Sequence, residues 1–115
     1  MRLLYDPEGD ILNVIFDECL QDVDQAAYRL RDGLMLYVAV DSMKPIQLTV
    51  VSYRRLAELP SFHFNGWAKL KAADRTKLLP ILNSPAVSAF LKLDPQTGYG
   101  HLASSPVLEM FPLAA

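Results

Sequence analysis

Three turn signatures fall within the first 52 residues, and together they commit the chain to antiparallel strands. Asp6-Pro7-Glu8-Gly9-Asp10 separates the run Arg2-Leu3-Leu4-Tyr5 from Ile11-Leu12-Asn13-Val14-Ile15-Phe16. Proline presets φ at the second position of a turn, and glycine readily takes the left-handed conformation that closes one. A type I turn with a bulge at Gly9 is the expected solution. It sets Asp6 opposite Asp10, Tyr5 opposite Ile11 and Leu4 opposite Leu12. Facing carboxylates repel mildly, so Asp6 is expected to accept hydrogen bonds from the turn amides of Glu8 or Gly9. Asp32-Gly33, after Arg31, makes a second hairpin between Ala27-Tyr28-Arg29-Leu30 and the run from Leu34 to Val40. Both of its central residues tolerate positive φ. Asp41-Ser42-Met43-Lys44-Pro45 returns the chain into the run from Ile46 to Ser52. There Ile46, Leu48 and Val50 share one face, and Gln47 and Thr49 the other.

These runs predict a β-meander of about five strands over residues 1–52. Residues 34–40 carry no charge, which predicts a sheet partly covered on both faces. Residues 17–25 form an acidic, irregular connection. Beyond the sheet, residues 53–59 can make one or two helical turns before Pro60. Residues 61–67 read as an ordered loop held by Phe62, Phe64 and Trp67. Ala72 to Leu82 has helical spacing, with Leu78, Ile81 and Leu82 on one face, and Pro80 should kink or end it near residue 79. Ser84-Pro85 restarts a helix as N-cap and first position, striped by Val87, Phe90 and Leu91, with its end at Asp94-Pro95. Residues 98–102 form a turn or short strand. Ser104-Ser105-Pro106 opens a last helix through Val107, Leu108, Met110 and Phe111. The expected architecture is α+β in a single domain, residues 1–115, with residues 53–115 a mainly helical extension packed on one face of the sheet.

The stretch Tyr5-Asp6-Pro7-Glu8-Gly9-Asp10-Ile11-Leu12-Asn13-Val14, followed by Arg31-Asp32-Gly33 and an apolar strand, resembles the YuzE-like family of small bacterial proteins, itself a domain of unknown function. The resemblance covers roughly the first half of the chain. Asn13 departs from it, standing where an aromatic residue is common. The second half corresponds to a C-terminal extension. The resemblance implies the fold and carries no established chemistry.

Composition narrows the function further. With 115 residues and a net charge of −2, the chain has no global attraction for nucleic acid or an anionic membrane. The charge is uneven: residues 1–26 hold seven acids against Arg2 alone, and the remainder is net basic. Cys19 is the only cysteine, so no internal disulfide forms. No apolar signal region or membrane-length stretch is present, and the expected location is the cytoplasm.

Candidate chemistry is sparse. Asp6, Glu8 and Asp10 offer hard oxygen ligands, but Pro7 and Gly9 occupy the wrong places for a calcium loop and no closing glutamate follows. A structural turn is the better explanation for Asp6, Pro7, Gly9 and Asp10, as for Asp32 and Gly33. His63 and His101, the only histidines, sit at no zinc-ligand spacing with each other or with Cys19. Gly98 and Gly100 lack the third glycine and basic residue of a phosphate loop. Arg54, Arg55, Lys69, Lys71, Arg75 and Lys77, interleaved with Tyr53, Phe62, Phe64 and Trp67, have the ingredients of a single-strand binder. Lysines on an exposed helix face and aromatics in a core account for them better. No catalytic, cofactor or metal residue is assigned. The expectation is a non-enzymatic protein working through protein contacts, as a homodimer or as an accessory, antitoxin-like subunit. The alternative is an enzyme or ligand-binding domain with a pocket near His63, Trp67 and His101.

Overall fold

The structure, a computed structural model, describes residues 1–20 and 22–103. Strands β1 (Arg2–Asp6), β2 (Ile11–Ile15), β3 (Gln25–Arg31), β4 (Leu34–Ala39) and β5 (Pro45–Val51) form one antiparallel sheet. Helices α1 (Tyr53–Glu58), α2 (Ala72–Leu82) and α3 (Pro85–Ser88) follow, with β6 (Phe62–His63), β7 (Leu91–Leu93) and β8 (Tyr99–Leu102) forming a second sheet in the order β6-β8-β7. The fold is α+β, as the sequence predicts.

The strand order is β1-β2-β5-β4-β3 rather than sequential. The acidic segment after β2 makes a 3₁₀ turn at Glu18–Leu20 and carries the chain away from the β2 edge. The strands β3, β4 and β5 then run as a local meander, and β5 closes back onto β2, pairing Val14 with Leu48. Sequence periodicity reports which residues share a face and not which strand lies alongside.

Both hairpins differ from their expected geometry. In the first, Asp6 pairs with Ile11 and Tyr5 with Leu12, one residue away from the expected register. Asp10, not Gly9, adopts the left-handed conformation, at φ 53, so Asp10 belongs to the turn and leaves the ladder. Aspartate tolerates that region better than most residues because its short side chain bonds locally. Asp6 does accept the Glu8 amide, at 3.0 Å. In the second hairpin only Gly33 has positive φ, at 80, and a bulge between Arg29 and Arg31 takes up the difference. The bulge lifts Leu30 out of the ladder, and its carbonyl accepts the Gly66 amide at 3.0 Å. A Cβ on Gly66 would stand 2.3 Å from the Arg29 carbonyl oxygen. Only glycine permits that approach.

One face of the large sheet makes the core. Leu12, Val14, Leu30, Leu34, Leu36, Val38, Leu48 and Val50 are buried there against Leu56 of α1, Leu78, Ile81 and Leu82 of α2, Val87 of α3, and Phe62, Phe64 and Trp67. β4 and β5 alternate strictly between buried and half-buried positions over most of their length. In the uncharged run 34–40 the inward positions are buried and the outward Met35 and Tyr37 are half-buried rather than exposed.

Over its described residues, 53–103, the second half is less helical than expected. Phe62-His63, assigned to a loop, pairs with β8. Leu91, expected on the α3 stripe, begins β7 and pairs with Leu102. With α3 only four residues long, the competing bonds of the β7–β8 hairpin take that segment, and Asp94-Pro95 becomes its turn. Asp94 accepts the Gln96 amide at 2.9 Å. Helix α2 runs through Pro80 to Leu82 rather than ending near residue 79: Pro80 withholds one amide from the ladder, and beyond it the Asn83 amide still bonds to the Leu79 carbonyl. Ser84 and Pro85 take the expected cap and first positions, although the Ser84 hydroxyl donates back to the Ile81 carbonyl. The helix expected from Ser104-Ser105-Pro106 through Phe111 lies outside the described residues.

Candidate functional site

Of the turn residues singled out by sequence, Asp10 is the one that gathers bonds from another element. Its carboxylate accepts the Tyr5 hydroxyl at 2.7 Å and the Arg54 amide at 3.1 Å. Its carbonyl accepts the Tyr53 amide at 3.0 Å. Asp10 thus caps the first turn of α1 from a different element. Ser52, in the N-cap position, is left-handed at φ 57 and makes no capping bond of its own. The Tyr5 phenol is raised above its ordinary pKa, first by desolvation and then by the Asp10 carboxylate, with Arg54 opposing. Every acceptor of Asp10 faces a donor of this chain. Asp6, Pro7 and Gly9 hold the turn, as do Asp32 and Gly33 in theirs. Among the described residues, no group of three histidine, cysteine, aspartate or glutamate side chains is placed to hold a metal ion.

The pocket candidates separate. His63 and Trp67 line a depression of about 330 Å³ with Arg75, Pro95 and Gly98. His101 lines a neighbouring one of about 420 Å³ between α3 and the β7–β8 hairpin. Two polar side chains of the first are engaged: the Trp67 indole donates to the Pro95 carbonyl at 3.2 Å, and Arg75 donates to the carbonyls of Ala68 and Leu70 at 3.2 and 2.6 Å. His63 is exposed and packs on the Tyr99 ring, with centroids 4.9 Å apart. Cys19 is free and exposed. The aromatics near the basic residues are core residues: Tyr53, Phe62, Phe64 and Trp67 are all buried. No face of theirs is offered to a nucleobase.

A further feature, among the described residues, is the outward face of the five-stranded sheet. Strand pairing aligns Leu4, Asn13, Thr49, Met35 and Arg29 in one row across it, and Arg2, Ile15, Gln47, Tyr37 and Ala27 in the next. At its centre the Asn13 Oδ1 atom accepts from the Gln47 amide at 3.0 Å and from the Thr49 hydroxyl at 2.7 Å. The Asn13 amide nitrogen and the Gln47 carbonyl oxygen make no hydrogen bond among the described residues. Around them lie Ile11, Met35 and Tyr37, half-buried, and Leu4 and Val51, 43% and 40% exposed. Alternation within β5 revealed the polar side of this face in the sequence; its cross-strand assembly depends on the β2–β5 pairing, which the sequence does not show.

No helix among the described residues is long and apolar enough to cross a membrane. No family model, no curated protein and no solved structure matches the chain.

Proposed function

We propose that this is a small cytoplasmic protein, YuzE-like with a C-terminal extension, that acts through protein contacts and pairs with a second copy of itself across the outward face of the five-stranded sheet. One observation carries the proposal: that face presents a hydrogen-bonded Asn13–Thr49–Gln47 centre ringed by Leu4, Ile11, Met35, Tyr37 and Val51. Its spare groups are an amide donor on Asn13 and an amide acceptor on Gln47. A two-fold axis brings each to its complement on the other copy, and closed two-fold pairing is the commonest soluble assembly. The face has few charges, so pairing incurs little desolvation cost.

The scale is adequate but small. Five strands at about 4.8 Å spacing and about five residues of about 3.3 Å each give a footprint of roughly 400 Å² per copy, before corrugation is counted. Stable interfaces bury about 1,200–2,000 Å² in total, so the pair belongs at the weak end. Light scattering between about 1 and about 100 μM should show the mass rising toward twice 12.9 kDa, in keeping with a small interface. Met35→Arg, in the central row, should hold the protein at 12.9 kDa without altering its circular dichroism. A wild-type protein that stays monomeric throughout, or a Met35→Arg variant that still pairs, refutes the proposal. Capture of a different small protein by a monomeric chain would instead support the accessory, antitoxin-like role. A ligand-binding role near His63, Trp67 and His101 has weaker support, because the three residues line two depressions and the polar groups of Trp67 and Arg75 are already used.

A further inference from the structure

Arg31 is held in an unusual way. Its guanidinium carbon lies 4.9 Å over the Phe62 ring, and one terminal nitrogen donates to the His63 carbonyl at 3.3 Å. Its Nε atom is buried and has no hydrogen-bond partner. A cation fixed in place, partly desolvated and lacking an anion is costly, and proteins ordinarily pair such a group. The ion pairs among the described residues are Arg2–Glu18 and Arg29–Asp32; neither involves Arg31.

The surroundings of Arg31 suggest the missing partner. A groove of about 350 Å³ runs between the β3–β4 turn, with Arg31, Asp32 and Gly33, and the start of α1, with Ser52 and Arg55. Arg55 is exposed and also lacks an acidic partner among the described residues. The Ser52 hydroxyl makes no cap bond. Asp32, the one acid of the groove, is engaged by Arg29 at 3.9 Å, and its side chain is 81% exposed. The groove therefore combines one guanidinium held by Phe62 and the His63 carbonyl, one exposed guanidinium and the Ser52 hydroxyl beside Val51.

We propose that this groove binds an oxyanion, a carboxylate or a phosphate monoester group, between Arg31 and Arg55. Guanidinium donors suit both anions; the exposed Arg55 can present its whole fork, and Arg31 its terminal nitrogen not bonded to His63. Stacking on Phe62 fixes the Arg31 plane before the ligand arrives, so little side-chain freedom is lost on binding. Arg55 supplies the second charge from the first turn of α1, and Ser52 a further donor.

Titration of the ¹⁵N-labelled protein tests this, with inorganic phosphate in one arm and N-acetylglutamate in the other, each against sodium chloride at matched ionic strength. The Arg31 Nε–H signal and the Gly33 and Ser52 amides should shift saturably, with Kd on the order of millimolar for so small a ligand. Saturation by phosphate alone or by the carboxylate alone identifies the source, and either supports the site. Arg55→Ala should weaken binding by about tenfold or more, as should Arg31→Gln, whereas Lys77→Ala on α2 should leave it unchanged. Arg55 is exposed, so Arg55→Ala and Arg55→Glu carry the test even if Arg31→Gln fails to fold. Equal shifts in chloride, shifts that do not saturate, or an Arg55→Ala variant that titrates like wild type overturn the proposal.

Discussion

Replacing Asp10 should cost more than replacing any other acid of the first hairpin, and the structure sets the size of the effect. The Asp10 side chain makes two kinds of contact: an acceptor role toward the Arg54 amide, equivalent to a helix N-cap, and a bond from the partly buried Tyr5 hydroxyl. An N-cap is worth about 1 kcal/mol, and a hydrogen bond to a charged acceptor about 1.5 kcal/mol or somewhat more. Asp10→Gly removes both and keeps the left-handed backbone unstrained, so its cost should be about 2–3 kcal/mol. Asp10→Asn retains one acceptor and should cost about 1 kcal/mol. At about 2.1 cal/mol/K of unfolding entropy per residue, 115 residues convert each kcal/mol into about 4 °C. Thermal unfolding should therefore fall by about 4 °C for Asp10→Asn and by about 8–12 °C for Asp10→Gly. A double-mutant cycle with Tyr5→Phe should show coupling of about 1 kcal/mol, as residues sharing a bond do. Strict additivity in that cycle, or an Asp10→Gly variant that melts with wild type, would refute the account of Asp10 as the joint between hairpin and helix.

Asp6 makes a single exposed bond to the Glu8 amide, so Asp6→Asn should cost at most about 1 kcal/mol; a calcium- or magnesium-dependent thermal shift lost in that variant would contradict a purely structural turn. Gly66→Ala should cost about 3 kcal/mol in urea unfolding, since its Cβ meets backbone at 2.3 Å and the bond to Leu30 must stretch; a loss below about 1 kcal/mol would mean the 62–67 segment shifts freely. Tyr5 favours its neutral form when folded, because burial and Asp10 raise its pKa above 10.0. Its contribution is fully present below that value and is lost as pH rises through the folded pKa. The stability gap between wild type and Tyr5→Phe should therefore shrink above about pH 10, and a gap unchanged to high pH would count against the Tyr5–Asp10 bond.

What could be read from the sequence follows the range of the interaction. The first five strands and their faces were legible because side-chain alternation and turn chemistry are local: Ile46, Leu48 and Val50 point inward and Gln47 and Thr49 outward, as their spacing predicts. The exact register was not, because Gly9 and Asp10 both tolerate left-handed backbone, and the choice fell to Asp10 through its bonds to Tyr5 and Arg54. Leu91 has no local signal that separates helix from strand; Leu102, eleven positions on, decides it by pairing. The candidate sites were harder still. The outward face depends on β2 meeting β5, and the Arg31 groove on a bulge, a stacked phenylalanine and a helix start from three separate parts of the chain.

The pairing of β2 with β5 also orders the assembly of the sheet. The β1–β2 hairpin closes within residues 2–15 and the β3–β4–β5 meander within residues 25–51, each from neighbouring segments. The seam between them joins Ile11 to Val51 and Ile15 to Gln47, and closing it fixes the whole intervening chain at once. Such non-local closure loses the most chain entropy before any contact rewards it. On that ground the two pieces are expected to form before the seam closes. Asp10, bonded to the Tyr53 and Arg54 amides, ties one end of that seam to α1.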